Sequence, residues 1–393
     1  MYKIKTMNKI SPKGLAKLDP ARFEVGDQLT GEDAILLRSA KLHDYDFPAE
    51  TLAVARAGAG VNNIPLDRCS ELGIVVFNTP GANANAVKEL AIAALLLASR
   101  NISGGIQWVK EQAAAGADVA AVVETGKAQF AGVEILGKTL GVVGLGAIGI
   151  QVANVAAALG MDVVGYDPYL SVASALTLDP RVTYVQSLDR LYAVSDYISL
   201  HLPMNAETRG SINQETIAKM KSGVRIINLA RGELVNDTDM IAALESGRVA
   251  AYATDFPNGE ITGAKNVIPI PHLGASSEES EENCAMMAAI QVQDYLDNGN
   301  IVNSVNMPAL SMDWSATTRL ALLCNTRSAC TTDPASAITG RLSAAGITPV
   351  AMASKVRGDY AYMLLDVNET IPADLIADLK AIDCVLRVRV LTH

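Results

Sequence analysis

An apolar strand, a glycine-spaced turn and a helix follow one another at residues 139–159, and no other stretch restricts the fold as tightly. Leu140-Gly141-Val142-Val143 runs into Gly144-Leu145-Gly146-Ala147-Ile148-Gly149, and Ile150 to Leu159 continues as small and apolar residues of helical character. A second apolar segment, Asp162 to Tyr166, then ends in an acid, Asp167. This is the pattern of a βαβ unit that holds a dinucleotide. Each glycine has a physical task. Gly144 permits the tight turn, Gly146 lets a pyrophosphate approach the backbone, and Gly149 allows close packing of the helix. With Ala147 and Ile148 the helix N-terminus offers N–H groups and positive dipole to the phosphates. Asp167 stands where it reaches an adenosine ribose. A carboxylate there accepts hydrogen bonds from a 2′-hydroxyl and repels a 2′-phosphate, so the expected cofactor is NAD rather than NADP. Tyr166-Asp167-Pro168-Tyr169 has no adjacent Arg or Lys to reverse that preference.

The unit sits in a longer α/β series. Strands are expected at Thr139–Gly144, Asp162–Tyr166, Tyr197–Leu202, Val224–Leu229, Ala250–Thr254 and Val267–Ile270, with helices between them. Asp237-Thr238-Asp239 is expected to open the helix Met240–Glu245, and Gly247 to close it. Before this series, residues 1–6, 34–38, 52–57 and 73–78 read as strands of another open α/β sheet, followed by a helix from about Asn85 to Ser99. After it, a long helix from about Ser276 to Gly299 returns to that first domain. The first domain is therefore expected to be discontinuous, at 1–98 and 283–305, around a Rossmann domain at 99–282. Beyond a linker with Pro308, residues 317–393 carry the order βαββαβ, which is ferredoxin-like. Arg357-Gly358-Asp359 reads as a hairpin turn within it.

Bulk properties narrow the function. A length of 393 residues exceeds one compact core. The net charge of -10 argues against a nucleic-acid or anionic-membrane surface, so any positive charge for an anionic substrate must be local. Apolar runs such as Leu90–Ser99 are shorter than the roughly 20 residues that span a bilayer. The start of the chain reads as a strand instead of a signal segment. The 5 cysteines are scattered without a CxxC pair, which indicates neither a disulfide framework nor a metal site, and a reducing cytoplasm is expected.

Hydride transfer to or from a hydroxy acid needs a cation for the carboxylate and a proton donor or acceptor for the oxygen. In open α/β sheets such groups stand at the carboxyl ends of strands. Of the four histidines, His43 lies in a polar stretch and His393 is the last residue. His201 ends a strand and is expected to shape the cofactor wall. His272 follows Val267-Ile268-Pro269-Ile270-Pro271 and is the acid/base candidate by position; the alternative is a packed strand-end histidine. Arg231 follows the strand Ile226–Ala230, where a guanidinium can fork a carboxylate.

Arg56-Ala57-Gly58-Ala59-Gly60-Val61-Asn62-Asn63-Ile64, the glycine turn, Asn228-Leu229-Ala230-Arg231-Gly232-Glu233-Leu234-Val235 and Pro271-His272-Leu273-Gly274-Ala275-Ser276 together resemble the D-isomer-specific 2-hydroxyacid dehydrogenases, in that family's order and over about residues 1–305. The resemblance implies a flavodoxin-like substrate domain beside the Rossmann domain. It implies that Arg231 holds the substrate carboxylate, that His272 takes the C2 hydroxyl proton, and that Glu260 partners His272. Thr254 to Glu260 lacks one residue of the family pattern, and the loop on to His272 is short. Asp255 is implied near the nicotinamide carboxamide, and His201, Pro203, Ala230 and Gly274 complete the cofactor-binding set. Arg56, Gly58 and Lys127 resemble the substrate cradle of members that oxidise 3-phospho-D-glycerate with NAD, the entry to serine synthesis. Other members would be glyoxylate or hydroxypyruvate reductases, and a NAD-sensing co-repressor shares the fold. A small phosphorylated hydroxy acid is the implied partner, with a homodimer or homotetramer as the assembly and no nucleic acid or membrane.

The βαββαβ block resembles an ACT domain, a module that often binds amino acids and pairs through its sheets. Its first loop, Asn325 to Ala335, departs from the expected pattern, with Ala335 in place of a glycine that would open the helix to a ligand. A regulatory role and an oligomerisation role are both open.

Overall fold

The computed structural model describes residues 1–327 and 333–392. Residues 328–332, which belong to the departing loop of the C-terminal block, and His393 lie outside the described residues. The chain forms two compact units, Met1–Asn83 with Glu281–His393, and Ala84–Ser280.

In the first unit, β1 (Tyr2–Met7), β2 (Phe23–Gly26), β3 (Ala34–Leu37), β4 (Ala53–Arg56) and β5 (Val75–Phe77) form a parallel sheet in the order β2-β1-β3-β4-β5, the flavodoxin-like arrangement. Continuous apolar runs such as Ala34-Ile35-Leu36-Leu37 are buried along their whole length, as parallel strands covered on both faces require. The edge strand β2 was not expected from the sequence, because Phe-Glu-Val-Gly is too short to show a period.

The second unit holds β6 (Thr139–Val143), β7 (Asp162–Tyr166), β8 (Thr183–Tyr184), β9 (Tyr197–Leu200), β10 (Val224–Asn228), β11 (Val249–Thr254) and β12 (Val267–Pro269). Their order, β12-β11-β10-β9-β6-β7-β8, is that of the Rossmann fold, with the crevice where the order reverses beside β6. The two-residue β8 escaped the sequence reading for the same reason as β2. The helix Ala84–Ser99, placed with the first domain in the sequence reading, packs in this unit. Val87, Ala91, Ala94 and Leu95 join a core with Leu140, Val142, Ala153 and Ala156, where small residues on both helices permit close approach. The helix expected to open at Asp237 runs over Asp237–Glu245, but Asn236 is its cap, accepting the Asp239 N–H.

At the C-terminal end of the first unit, β13 (Thr318–Asn325), β14 (Ala351–Arg357), β15 (Tyr360–Val367) and β16 (Val385–Thr392) form an antiparallel sheet in the order β14-β15-β13-β16. With the helices Pro334–Ala344 and Ala373–Lys380 this is the ferredoxin-like topology. Alternation along the strands divides their side chains between two cores. Leu320, Leu322, Met363 and Leu365 pack with Ile338, Leu342 and Leu379 of the two helices. Ala321, Leu323, Tyr362, Leu364 and Leu391 face the other way and share a core with Phe77, Tyr295 and Leu296. No single helix among the described residues is long and apolar enough to cross a membrane.

Candidate active site

The glycine turn is preformed by steric necessity. Gly144 has φ +95°, and a Cβ on it would lie 2.5 Å from the His201 carbonyl oxygen. A Cβ on Gly149 would lie 1.9 Å from the Gly144 oxygen, so the helix Ala147–Ala158 approaches the turn only because residue 149 has no side chain. Around Gly146, by contrast, a Cβ would meet nothing within 4 Å. Gly146 caps the helix, and the space above it is where a pyrophosphate would meet the first N–H groups, from Ala147 and Ile148.

Asp167 follows β7 directly. Its Oδ2 accepts the Leu145 N–H (2.9 Å) and its Oδ1 accepts the Tyr169 N–H (2.8 Å). Each carboxylate oxygen carries a second lone pair, so a ribose hydroxyl can still be received. His201 ends the neighbouring strand; its Nε2 lies 2.9 Å from the Ser199 hydroxyl, and desolvation pushes its pKa down to about 4, so the ring is neutral near pH 7. Pro203 opens an exposed turn closed by the Thr208 hydroxyl on its carbonyl (2.7 Å).

At the carboxyl end of β10, Asn228 shapes the turn that presents Arg231. Its side-chain amide donates to the Arg231 carbonyl (2.9 Å), and its Oδ1 accepts the Ala230 N–H (3.2 Å). The sequence reading missed Asn228 as a positioning residue; a buried Asn at a strand end, able to make an Asx turn, was the available signal. Arg231 itself is exposed, and its Nη1 donates to the Ala230 carbonyl (2.6 Å).

Asp255, at the end of β11, is 1% exposed. One oxygen accepts the Gly274 N–H (3.1 Å) and the other, Oδ1, is buried with no hydrogen-bond partner. Burial raises its pKa; the Gly274 N–H and the charges of His272 and Arg231 pull the other way. The structure thus brings Asp255, Gly274, His272 and Arg231 to one end of the sheet. The ring of His272 rests on Phe256, with centroids 4.7 Å apart. Glu260 is on the same loop, yet no hydrogen bond or ion pair joins it to His272 among the described residues. Asn258 caps the short turn by accepting the N–H groups of Glu260 and Ile261, and the Glu260 carboxylate turns toward the Thr238 hydroxyl (3.4 Å).

Lys127 lies on an exposed 3₁₀ turn, paired with Glu124 (2.5 Å). Arg56 and Gly58 belong to the first unit, where Arg56 Nε donates to the Arg38 carbonyl (2.9 Å).

Fold and turn define a dinucleotide-binding Rossmann domain, and two features fit a nicotinamide dinucleotide: the open space over Gly146 and the orphaned Oδ1 of Asp255, an acceptor for a carboxamide N–H. Residues 92–274 match the model of the D-isomer specific 2-hydroxyacid dehydrogenase NAD binding domain. Residues 92–274 therefore carry this family's NAD binding domain, and the cofactor is NAD. It is 38% identical over 299 residues to a D-3-phosphoglycerate dehydrogenase of Synechocystis, covering 74% of this chain and 51% of that protein. The enzyme of the same name from Bacillus subtilis is 33% identical over 331 residues, covering 80% and 60%. The chain therefore spans about half to three fifths of these relatives. Among solved structures, the NAD⁺-bound 3-phosphoglycerate dehydrogenase of Entamoeba histolytica is similar with a TM-score of 0.60 and 27% identity, over 79% of this chain and 99% of that one.

Proposed function

We propose that the protein oxidises 3-phospho-D-glycerate to 3-phosphooxypyruvate with NAD, the first step of L-serine biosynthesis. The observation that carries the chemistry is the convergence of Arg231, His272 and the buried Asp255 at one end of the Rossmann sheet. The likeness to phosphoglycerate dehydrogenases supports the choice of substrate.

NAD, when bound, supplies the hydride acceptor. Arg231 forks the substrate carboxylate and polarises the C2 oxygen. His272 accepts the C2 hydroxyl proton at a ring nitrogen as the C2–H bond breaks, and Phe256 holds the ring face. The imidazolium so formed is favoured by the field of Asp255 and by Glu260, whose exposed side chain can rotate from Thr238 toward the ring. His201, Pro203, Ala230 and Gly274 line the cofactor. Arg56 and the Gly58 amide take the substrate in the first unit, and Lys127 adds a cation for its phosphate. The division of labour is a substrate-binding first domain, a NAD-binding second domain and a small C-terminal module, in an oligomer of identical chains.

The test is a substrate panel with NAD and NADP. Turnover of 3-phospho-D-glycerate with NAD, at least tenfold better than with NADP, is the expected result. Robust reduction of glyoxylate without activity on the phosphorylated acid would replace this reading with a general 2-hydroxyacid reductase.

A further inference from the structure

The helix Glu278–Asn298 has its charges arranged for only one of its ends. Its opening turns are acidic, as the dipole favours, but its closing turns carry Asp294 and Asp297 and no basic residue. Its last carbonyls, which have no intrahelical partner, need donors from elsewhere. The Tyr295 carbonyl takes the Gly299 N–H (3.0 Å) and the Leu296 carbonyl the Tyr2 hydroxyl (3.1 Å); the ferredoxin-like module provides the other donors. Arg389 donates to the Tyr295 carbonyl (2.8 Å) and to the Leu296 carbonyl (2.6 Å), with its guanidinium 4.7 Å from the Tyr295 ring centroid. Arg319 donates to the Asn298 carbonyl (3.0 Å), and the Tyr362 hydroxyl to the Gly299 carbonyl (2.6 Å).

Arg319 itself is fully buried and fully used. Its other donors go to both oxygens of the buried Asp366 and to the Met312 and Asp313 carbonyls, so the connector is locked to the same hub. Two guanidinium groups of the module, with Arg22 on Asp297 (2.7 Å), thus stand at the negative end of a helix that has no cation there of its own.

The near end of this helix meets the substrate corner of the first unit. Glu281 pairs with Arg38 (2.6 Å) and Glu282 with Lys13 (2.8 Å). Arg38 follows β3, and its carbonyl accepts the Nε of Arg56, the residue opposite Leu37 in register. Between the ends the helix is clamped. Ala285, Ala288, Ala289 and Val292 are buried, and a Cβ on Gly14 would lie 2.5 Å from that of Ala285. A packed rod of this kind, about 30 Å long, shifts as one body.

We infer that the module is the C-terminal cap of this helix and, through it, a positioning element for Arg38 and Arg56. Arg389, Arg319 and Tyr362 are then positioning residues that act through the helix. The inference rests on the proposed role of Arg56 in substrate binding for its kinetic consequence, but not for its structural one.

The test uses the full chain with Arg389→Met and Tyr362→Phe, checked for folding by thermal melting. Tyr362→Phe removes one hydroxyl and keeps the ring, so it, with Arg389→Lys, decides the matter if Arg389→Met does not fold. Backbone amide exchange is followed along residues 278–299, together with KM for 3-phospho-D-glycerate and the Kd of NADH. The expected result is faster exchange at both the Glu281 and the Asn298 ends. KM should rise roughly fivefold or more, the lower range of coupling between sites, with the Kd of NADH changed less than about twofold. Glu281→Gln should raise KM in the same way without altering exchange near Asn298. Faster exchange confined to Val292–Gly299, with the Glu281 end and KM as in the parent protein, would overturn the inference. If the parent protein itself fails to turn over phosphoglycerate, the functional reading has failed and the exchange pattern alone decides this one.

Discussion

The glycine turn at residues 144–149 and the loop tips carrying Arg231, Glu260 and His272 stand at the same carboxyl end of one parallel sheet, yet they are built in opposite ways. The turn is backbone throughout. Its shape is set by what Gly144 and Gly149 exclude, and Asp167 ties it to the next strand through the Leu145 N–H. The loop tips present exposed side chains, each held by little: Arg231 by a neighbouring carbonyl, Glu260 by a threonine hydroxyl, His272 by the face of Phe256. The contrast teaches that cofactor recognition is finished before any ligand arrives. The groups proposed to react, in contrast, are exposed side chains with the freedom to close on a substrate. Buried Asp255 and Asn228 lie beneath them and set where they can go.

The contrast can be broken first at its reactive side. His272→Ala is expected to lower kcat by about 10²–10⁴ while leaving the Kd of NADH near that of the parent, as stopped-flow and equilibrium titration would measure. A comparable loss of NADH affinity would mean that the loop tips and the turn are not independent.

On the turn itself, Gly149→Ala forces a methyl onto the Gly144 carbonyl and should cost about 3 kcal/mol of stability in denaturant unfolding. A neutral result would show that the turn yields more readily than its contacts suggest.

The pH dependence sharpens the same comparison. His201 has a depressed pKa, so its stabilising contribution is complete above the ordinary imidazole value of 6.5 and is lost as pH falls toward about 4. Stability should therefore drop by about 2 kcal/mol between pH 7 and pH 5 from this residue. His201→Asn should flatten that part of the profile; an unchanged slope would place the acid sensitivity elsewhere.

Gly146→Ala is the matched control for Gly149→Ala. A methyl there meets no protein atom, so the melting temperature should hold while NADH affinity falls about tenfold, or ~1.4 kcal/mol. The smallest expected effect is in Glu260→Gln, a loss of about tenfold or less in kcat with a shifted acid limb. No change at all would leave Asp255 as the carboxylate that acts on His272.

Local pattern made much of this legible. The unbroken apolar runs of β3 and β5 announce buried parallel strands, and the βαββαβ order of residues 318–392 was readable from period and turn residues alone. Short edge strands were not. Phe23–Gly26 and Thr183–Tyr184 have too few residues to show a period, and pairing with β1 and β7 makes them strands. At the site, Gly144, Gly149 and Asp167 could be assigned from spacing because their task is local. Phe256 could not, because what it does depends on the His272 ring, 16 residues further on, and Asn228 was passed over although its turn with Ala230 and Arg231 is local.

Sequence by itself determined the two parallel sheets, the turn that holds NAD and the residue types at the strand ends, since strand period, glycine conformation and residue chemistry are properties of a few neighbours. Only the tertiary structure decided that the helix Ala84–Ser99 packs in the Rossmann unit, that Glu260 turns toward Thr238, and that the C-terminal sheet caps the helix Glu278–Asn298 through Arg389 and Arg319. Those outcomes depend on which surfaces meet, and a helix whose closing turns lack a cation shows only what it needs, not which part of the chain will supply it.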